Sequence, residues 1–220
     1  MSDDASAARA WRARELLGSV PIALWAALHL WEQWSAFGGH DAWLARMAAG
    51  SHGAAAVALE VAVVLSVLAW IGLELRLRLA GREPEALRMA LAEDPEVARR
   101  LDRIARASSW IFFAWLVYHA AWLWLPKLTA GAEPARAWIA LRDELGTWLH
   151  ATPHAVGLTA LGVHLAAAVP RLAVALGWAS APEGRRAARL SGLVLAVGFF
   201  VLYAQLAGWH AAGRGTVWPL

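Results

Sequence analysis

Apolar positions in this chain gather into five long blocks, at residues 15–37, 53–79, 107–125, 153–178 and 187–209. Within each block the apolar run is nearly continuous, without the strict alternation of a half-buried strand. About 20 helical residues span a hydrocarbon layer of about 30 Å, and all five blocks meet that length. The pattern therefore predicts an all-α chain: an integral membrane bundle of five transmembrane helices forming a single domain over residues 1–220. Pro21 falls near the first turns of the first block, Pro126 stops the third, and Pro170 lies inside the fourth.

The polar stretches between the blocks carry the topology signal. Residues 1–14 read as a short tail and residues 42–50 as a short surface helix. Residues 81–106 are the longest polar connection. There Asp94 precedes Pro95, the pairing of an N-cap with proline at the first helical position. Val97, Leu101 and Ile104 follow at helical spacing. That face fits either a helix lying on the membrane surface or a docking surface for a soluble partner. Residues 127–147, with Trp138, Ile139 and Leu141, are expected to pack over the outer surface. Fifteen of the 20 Lys and Arg residues fall in the tail, the connection from Arg76 to Arg106 and the stretch from Arg171 to Arg189. The positive-inside rule then places the N-terminus in the cytoplasm and the C-terminus outside.

Composition agrees with a membrane protein. The chain is 60% hydrophobic with a mean hydropathy of +0.45. Its pI near 10.1 would point to nucleic acid in a soluble domain. Here the arginines sit between apolar blocks, so the expected partner is lipid and not nucleic acid. There are no cysteines, so the chain has no disulfide, no covalently attached haem and no iron–sulfur cluster of its own. The first block lacks a small-residue cleavage site and is read as a retained helix.

Ionisable groups inside apolar helices are costly and mark sites. His29, His119 and His164 each lie within a separate block. Single imidazoles on separate membrane helices fit axial ligation of b-type haem; the competing reading is a core histidine hydrogen-bonded to backbone. His29 and His119 lie on helices of the same direction, roughly 9–12 Å below the outer surface by helical rise. Two imidazoles at one depth can hold one iron from opposite faces. His164 is nearer the centre. His40, His52, His150, His154 and His210 fall at the outer ends and read as interfacial or solvated. Glu60 lies roughly 10 Å inside the second block, as a structural carboxyl or as a proton carrier for quinone chemistry. The 15 tryptophans fit interfacial belts and packing against a macrocycle.

These residues resemble the five-helix cytochrome b membrane anchor of succinate dehydrogenase and fumarate reductase, a type that usually carries two haems. In the first helix the likeness lies in Gly18, Val20, Pro21 and Ile22, followed by His29, Leu30 and Trp31. In the third it lies in Arg106, Ser108, Ser109, Phe112, Phe113, Tyr118 and His119, and in the fourth in His164, Leu165, Ala166, Gly177 and Trp178. Arg185 and Arg186 follow where the family has a basic turn. The resemblance implies that His29 and His119 bind an outer haem b and that His164 binds an inner one. Trp70 stands where the family has the second inner ligand, and indole is a donor only. Arg14-Glu15 stands where the family has His-Ser. Arg14, Arg106, Arg185 and Arg186 become candidates for haem propionate or partner contacts.

By the same resemblance the chain is a haem-carrying anchor subunit of succinate:quinone oxidoreductase in a bacterial inner membrane. It would pass electrons between an iron–sulfur subunit and quinone, with a flavoprotein performing the dicarboxylate chemistry, and higher oligomers of the complex stay open. Two other readings stand beside it: a b-type cytochrome subunit of another quinone-linked dehydrogenase, and a haem-poor structural anchor.

Overall fold

Helix formation begins earlier than the apolar blocks suggest. The computed structural model describes residues 2–50, 54–79, 85–119, 121–122, 142 and 145–212, and no strand occurs among them. Helix α1 runs Ser2–Gln33 and passes through a 3₁₀ turn, Trp34–Gly38, into α2, His40–Gly50. Then come α3, Ala54–Leu79, α4, Glu85–Met89, α5, Pro95–His119, α6, Trp148–Ala175, and α7, Pro182–Ala212. Residues 127–141, expected over the outer surface, lie outside the described residues, as does His52.

Two boundaries correct the sequence reading. The N-terminal tail is not separate, because 2–14 continue into α1. That segment is alanine- and arginine-rich, with no breaker. It is anchored by Trp11, which packs with Leu77, Leu87 and Ala175. Pro21 consequently lies in the helix interior. The 81–106 connection is likewise not separate from the third block: α5 starts at Pro95 and runs unbroken to His119. Its start matches expectation, since Asp94 Oδ1 accepts hydrogen bonds from the Glu96 and Val97 N–H groups at 2.7 and 3.0 Å.

Helix α6 is the centre of the bundle and packs against α7, α5 and α1, while α3 packs on α1. Pro170 sits inside α6 and leaves the Ala166 carbonyl without its helical donor. Gly192 of α7 faces that point: a Cβ there would lie 2.8 Å from the Ala166 oxygen. A small residue thus lets the two backbones approach where proline has opened the ladder. Helix α6 ends in a Schellman motif. Gly177 has φ +79°, its N–H reaches the Val174 carbonyl, and the Trp178 N–H reaches that of Ala173.

Among the described residues, α6 and the Pro182–His210 part of α7 are long and apolar enough to cross a membrane. The outward faces of other helices are also apolar: Leu24, Leu28 and Trp31 on α1, and Val61, Val64, Leu65 and Leu68 on α3, are all exposed. Several charged residues lie inside instead. Arg14, Glu15, Glu74, Asp102 and Arg171 are at most 4% exposed.

Candidate functional site

Two polar regions lie in the bundle, one towards each end. At the first, α1 supplies His29, α5 supplies His119 from its last turn, α6 supplies His154 and α7 supplies Tyr203. The His29 and His119 rings have centroids 6.2 Å apart and planes at 87°. An iron held by two imidazoles needs about 2 Å from metal to nitrogen on each side plus roughly 1 Å from nitrogen to ring centre, a span of about 6 Å. The observed separation matches that span. Each histidine is stacked on the tryptophan one turn before it. Trp25 lies 5.2 Å from His29 at 10°, and Trp115 lies 5.1 Å from His119 at 29°. Tyr203 stacks on the His29 ring, and its hydroxyl donates to the Ala26 carbonyl at 2.7 Å, tying α7 to α1.

Trp115 is positioned by a glycine. Its ring lies directly on Gly157 of α6, where a Cβ would come within 2.1 Å. Its Nε1 is buried and has no hydrogen-bond partner among the described residues. A buried donor beside an imidazole pair is what a haem carboxylate or a quinone carbonyl would meet. The residue types and the ring separation here are those of a bis-histidine haem.

Expectation and structure part at His154 and His210. Both are buried, at 7% and 4% exposure, rather than solvated. His154 Nε2 lies 3.3 Å from His119 Nδ1, and His154 Nδ1 lies 3.0 Å from the His150 carbonyl oxygen. His210 packs against Trp43 and Trp209. His40 is exposed, as expected, beside Asp41.

The second region surrounds His164. Its Nε2–H donates to the Gly18 carbonyl at 2.8 Å, and its Nδ1 lies 2.9 Å from Ser109 Oγ. Both ring nitrogens therefore have protein partners. Trp70 of α3 lies over Gly18, where a Cβ would fall 2.6 Å from the indole. The void bounded by Gly18, Trp70, Phe112 and His164 is about 10 Å³, room for one water at most. A second macrocycle does not fit these residues as packed.

Around this region the buried charges pair. Arg14 donates to Glu74 at 2.8 Å and bonds Glu15, with its guanidinium over Trp11 and Trp70. Asp102 bonds both Arg106 of its own helix and Arg171 of α6. Closed ion pairs are the condition for burying such groups. Of the other arginines singled out from sequence, Arg185 donates to the Ser180 carbonyl at 2.7 Å and Arg186 is exposed. The Glu60 side chain lies outside what is described, although its backbone is in α3.

Tyr203, Trp25, Trp115, Glu74, Asp102 and Arg171 escaped the sequence reading as site residues, and His154 was read there as interfacial or solvated. A usable signal existed for some of them: tryptophan four residues before histidine on both α1 and α5, and His150 and His154 four apart on α6. Among the described residues no cluster of three or more His, Asp or Glu side chains could hold a bare metal ion. Comparison with protein-family models, curated proteins and solved structures found no match for this chain.

Proposed function

We propose that the chain is a five-span membrane subunit that holds one b-type haem between His29 and His119 and connects a soluble dehydrogenase to membrane quinone. The spans are α1, α3, α5, α6 and α7, with the N-terminus cytoplasmic. The reading follows the likeness to the succinate dehydrogenase and fumarate reductase anchor, in a bacterial inner membrane. The single observation that carries it is the facing His29–His119 pair, 6.2 Å apart and perpendicular, on two helices whose outward sides are apolar. Exposed apolar side chains around buried, paired charges support residence in lipid.

When bound, the haem supplies one-electron transfer. This chain's residues do the rest. His29 and His119 would hold the haem, with the rings of Trp25, Trp115 and Tyr203 stacked against the two imidazoles. Trp70, packed on Gly18, supports one haem per chain instead of the family's two, with His164 as a structural link between α1, α5 and α6. The flavoprotein and iron–sulfur partners would dock at the cytoplasmic end of α5, where Val97, Leu101 and Ile104 are exposed beside Arg99, Arg100 and Arg103.

A second reading is a haem-free anchor, and the doubly hydrogen-bonded His164 is the observation on its side. Purification in detergent followed by a pyridine haemochrome assay separates the two. The proposal expects one low-spin bis-histidine haem per chain, lost in His29→Ala and in His119→Ala and kept in His40→Ala. An unchanged spectrum in His29→Ala refutes it, and a purified protein with no Soret band favours the structural anchor. Co-purified subunits then show whether the partner is a succinate dehydrogenase or another quinone-linked enzyme.

A further inference from the structure

His154 has no place in the haem reading so far, yet it is buried and touches one of the two proposed ligands. A carbonyl oxygen cannot donate, so at the 3.0 Å contact with His150 O the proton sits on His154 Nδ1. In the neutral ring the remaining nitrogen, Nε2, is then an acceptor. Its neighbour at 3.3 Å is His119 Nδ1, which must supply the proton of that contact. His119 is thereby held with Nδ1 protonated and with its lone pair on Nε2. The ring edge of His154 stands against His119 at 76° and against Trp115 at 85°, so both its position and its tilt are fixed by packing.

We propose that His154 is a positioning residue for the outer haem: the chain His150 carbonyl, His154, His119 fixes the tautomer of His119 and presents Nε2 to the iron. This rests on the haem reading above and adds to it a residue that contacts neither the iron nor the electron acceptor. Metal-bound histidines commonly donate their second N–H to a partner that locks the ring and raises its basicity. Here that partner is a second imidazole, itself locked by backbone. A more basic axial ligand favours the ferric state, so removing the acceptor should weaken haem binding and raise the midpoint potential.

The test uses the full-length protein in detergent, with haemin as the probe. In His154→Ala, haem affinity should fall by about 10–100-fold. A tenfold loss confined to the ferric form corresponds to about 59 mV for one electron. His154→Gln, whose side-chain oxygen can accept from His119, should restore most of both. In the haem-free protein labelled with ¹⁵N-histidine, His119 should carry its proton on Nδ1, and His154→Ala should convert it to a mixture. Wild-type affinity and potential in His154→Ala, with a normal Soret band, overturn this inference alone. A wild-type protein that takes up no haem overturns the haem reading and this inference with it. Should His154→Ala fail to accumulate, the wild-type tautomer decides: a proton on His119 Nε2 overturns the relay.

Discussion

Gly157→Ala tests the tightest contact at the candidate site. The added Cβ would lie 2.1–2.4 Å from three atoms of the Trp115 ring, against about 3.5–4.0 Å for carbon atoms in contact. The ring or helix α6 must therefore move by more than about 1 Å. Trp115 is 9% exposed and wedged between Phe112 and His119, so it has no empty space to enter. Overpacking of this kind costs about 1–3 kcal/mol. The helix-propensity gain of Gly→Ala returns about 0.5–1 kcal/mol. We expect a net loss of about 1 kcal/mol and at most about 2.5 kcal/mol, a factor of about 5 at the central value in the folding equilibrium.

Gly198, on the exposed side of α7 with nothing within 4 Å of its Cβ position, is the control: Gly198→Ala should stabilise slightly. Both are read by titrated unfolding in mixed detergent micelles. Because Trp115 stacks on His119, haem content should also fall in Gly157→Ala and stay whole in Gly198→Ala. In a Trp115→Ala background the overlap is gone, and Gly157→Ala should become neutral or stabilising, the signature of direct coupling. Equal stability of the two single variants with full haem would show that Trp115 does not rest on Gly157.

Arg14→Met strips the shared cation from buried Glu15 and Glu74. Loss of one side of a buried pair costs about 3–5 kcal/mol, and adding Glu15→Gln and Glu74→Gln should recover most of it; a loss under about 0.5 kcal/mol refutes the pairing. The Asp94 carboxylate is held below its ordinary range by the Val97 and Glu96 N–H groups, so its capping contribution is present above the unfolded value, about 3.9. That contribution disappears as pH falls through the lowered folded value. Asp94→Ala should therefore melt below wild type near pH 6, with the gap closing in acid; a gap independent of pH would count against the cap. If the proposed docking holds, Val97→Asp with Leu101→Asp, both exposed at present, should release the soluble subunits while leaving this chain in the membrane. Retention of the whole complex would leave that face without a docking role.

Helix identity was legible in the sequence because an apolar run of membrane length has few alternatives. Asp94-Pro95 announced the start of α5, and the apolar blocks located α3, α6 and α7 to within a few residues. That His29 and His119 lie at one height and close together was legible too, since helical rise converts residue number into depth. What depth cannot give is azimuth. Whether His154 faced lipid or His119 depended on how α6 rotates against α5, and that rotation is set by Trp115 seated on Gly157. The same holds for charge: Asp102 and Arg106 are four apart and readable as a pair, but Arg171, 69 positions further on than Asp102, joins them only because α5 and α6 cross. The resemblance alone set Trp70 at the position where the family has a ligand. That its indole fills the space over Gly18, and that His164 instead bonds the Gly18 carbonyl and Ser109, followed from the close approach of α1, α3, α5 and α6. Sequence fixes which residues lie at a given height along a helix; only packing between helices decides which of them meet.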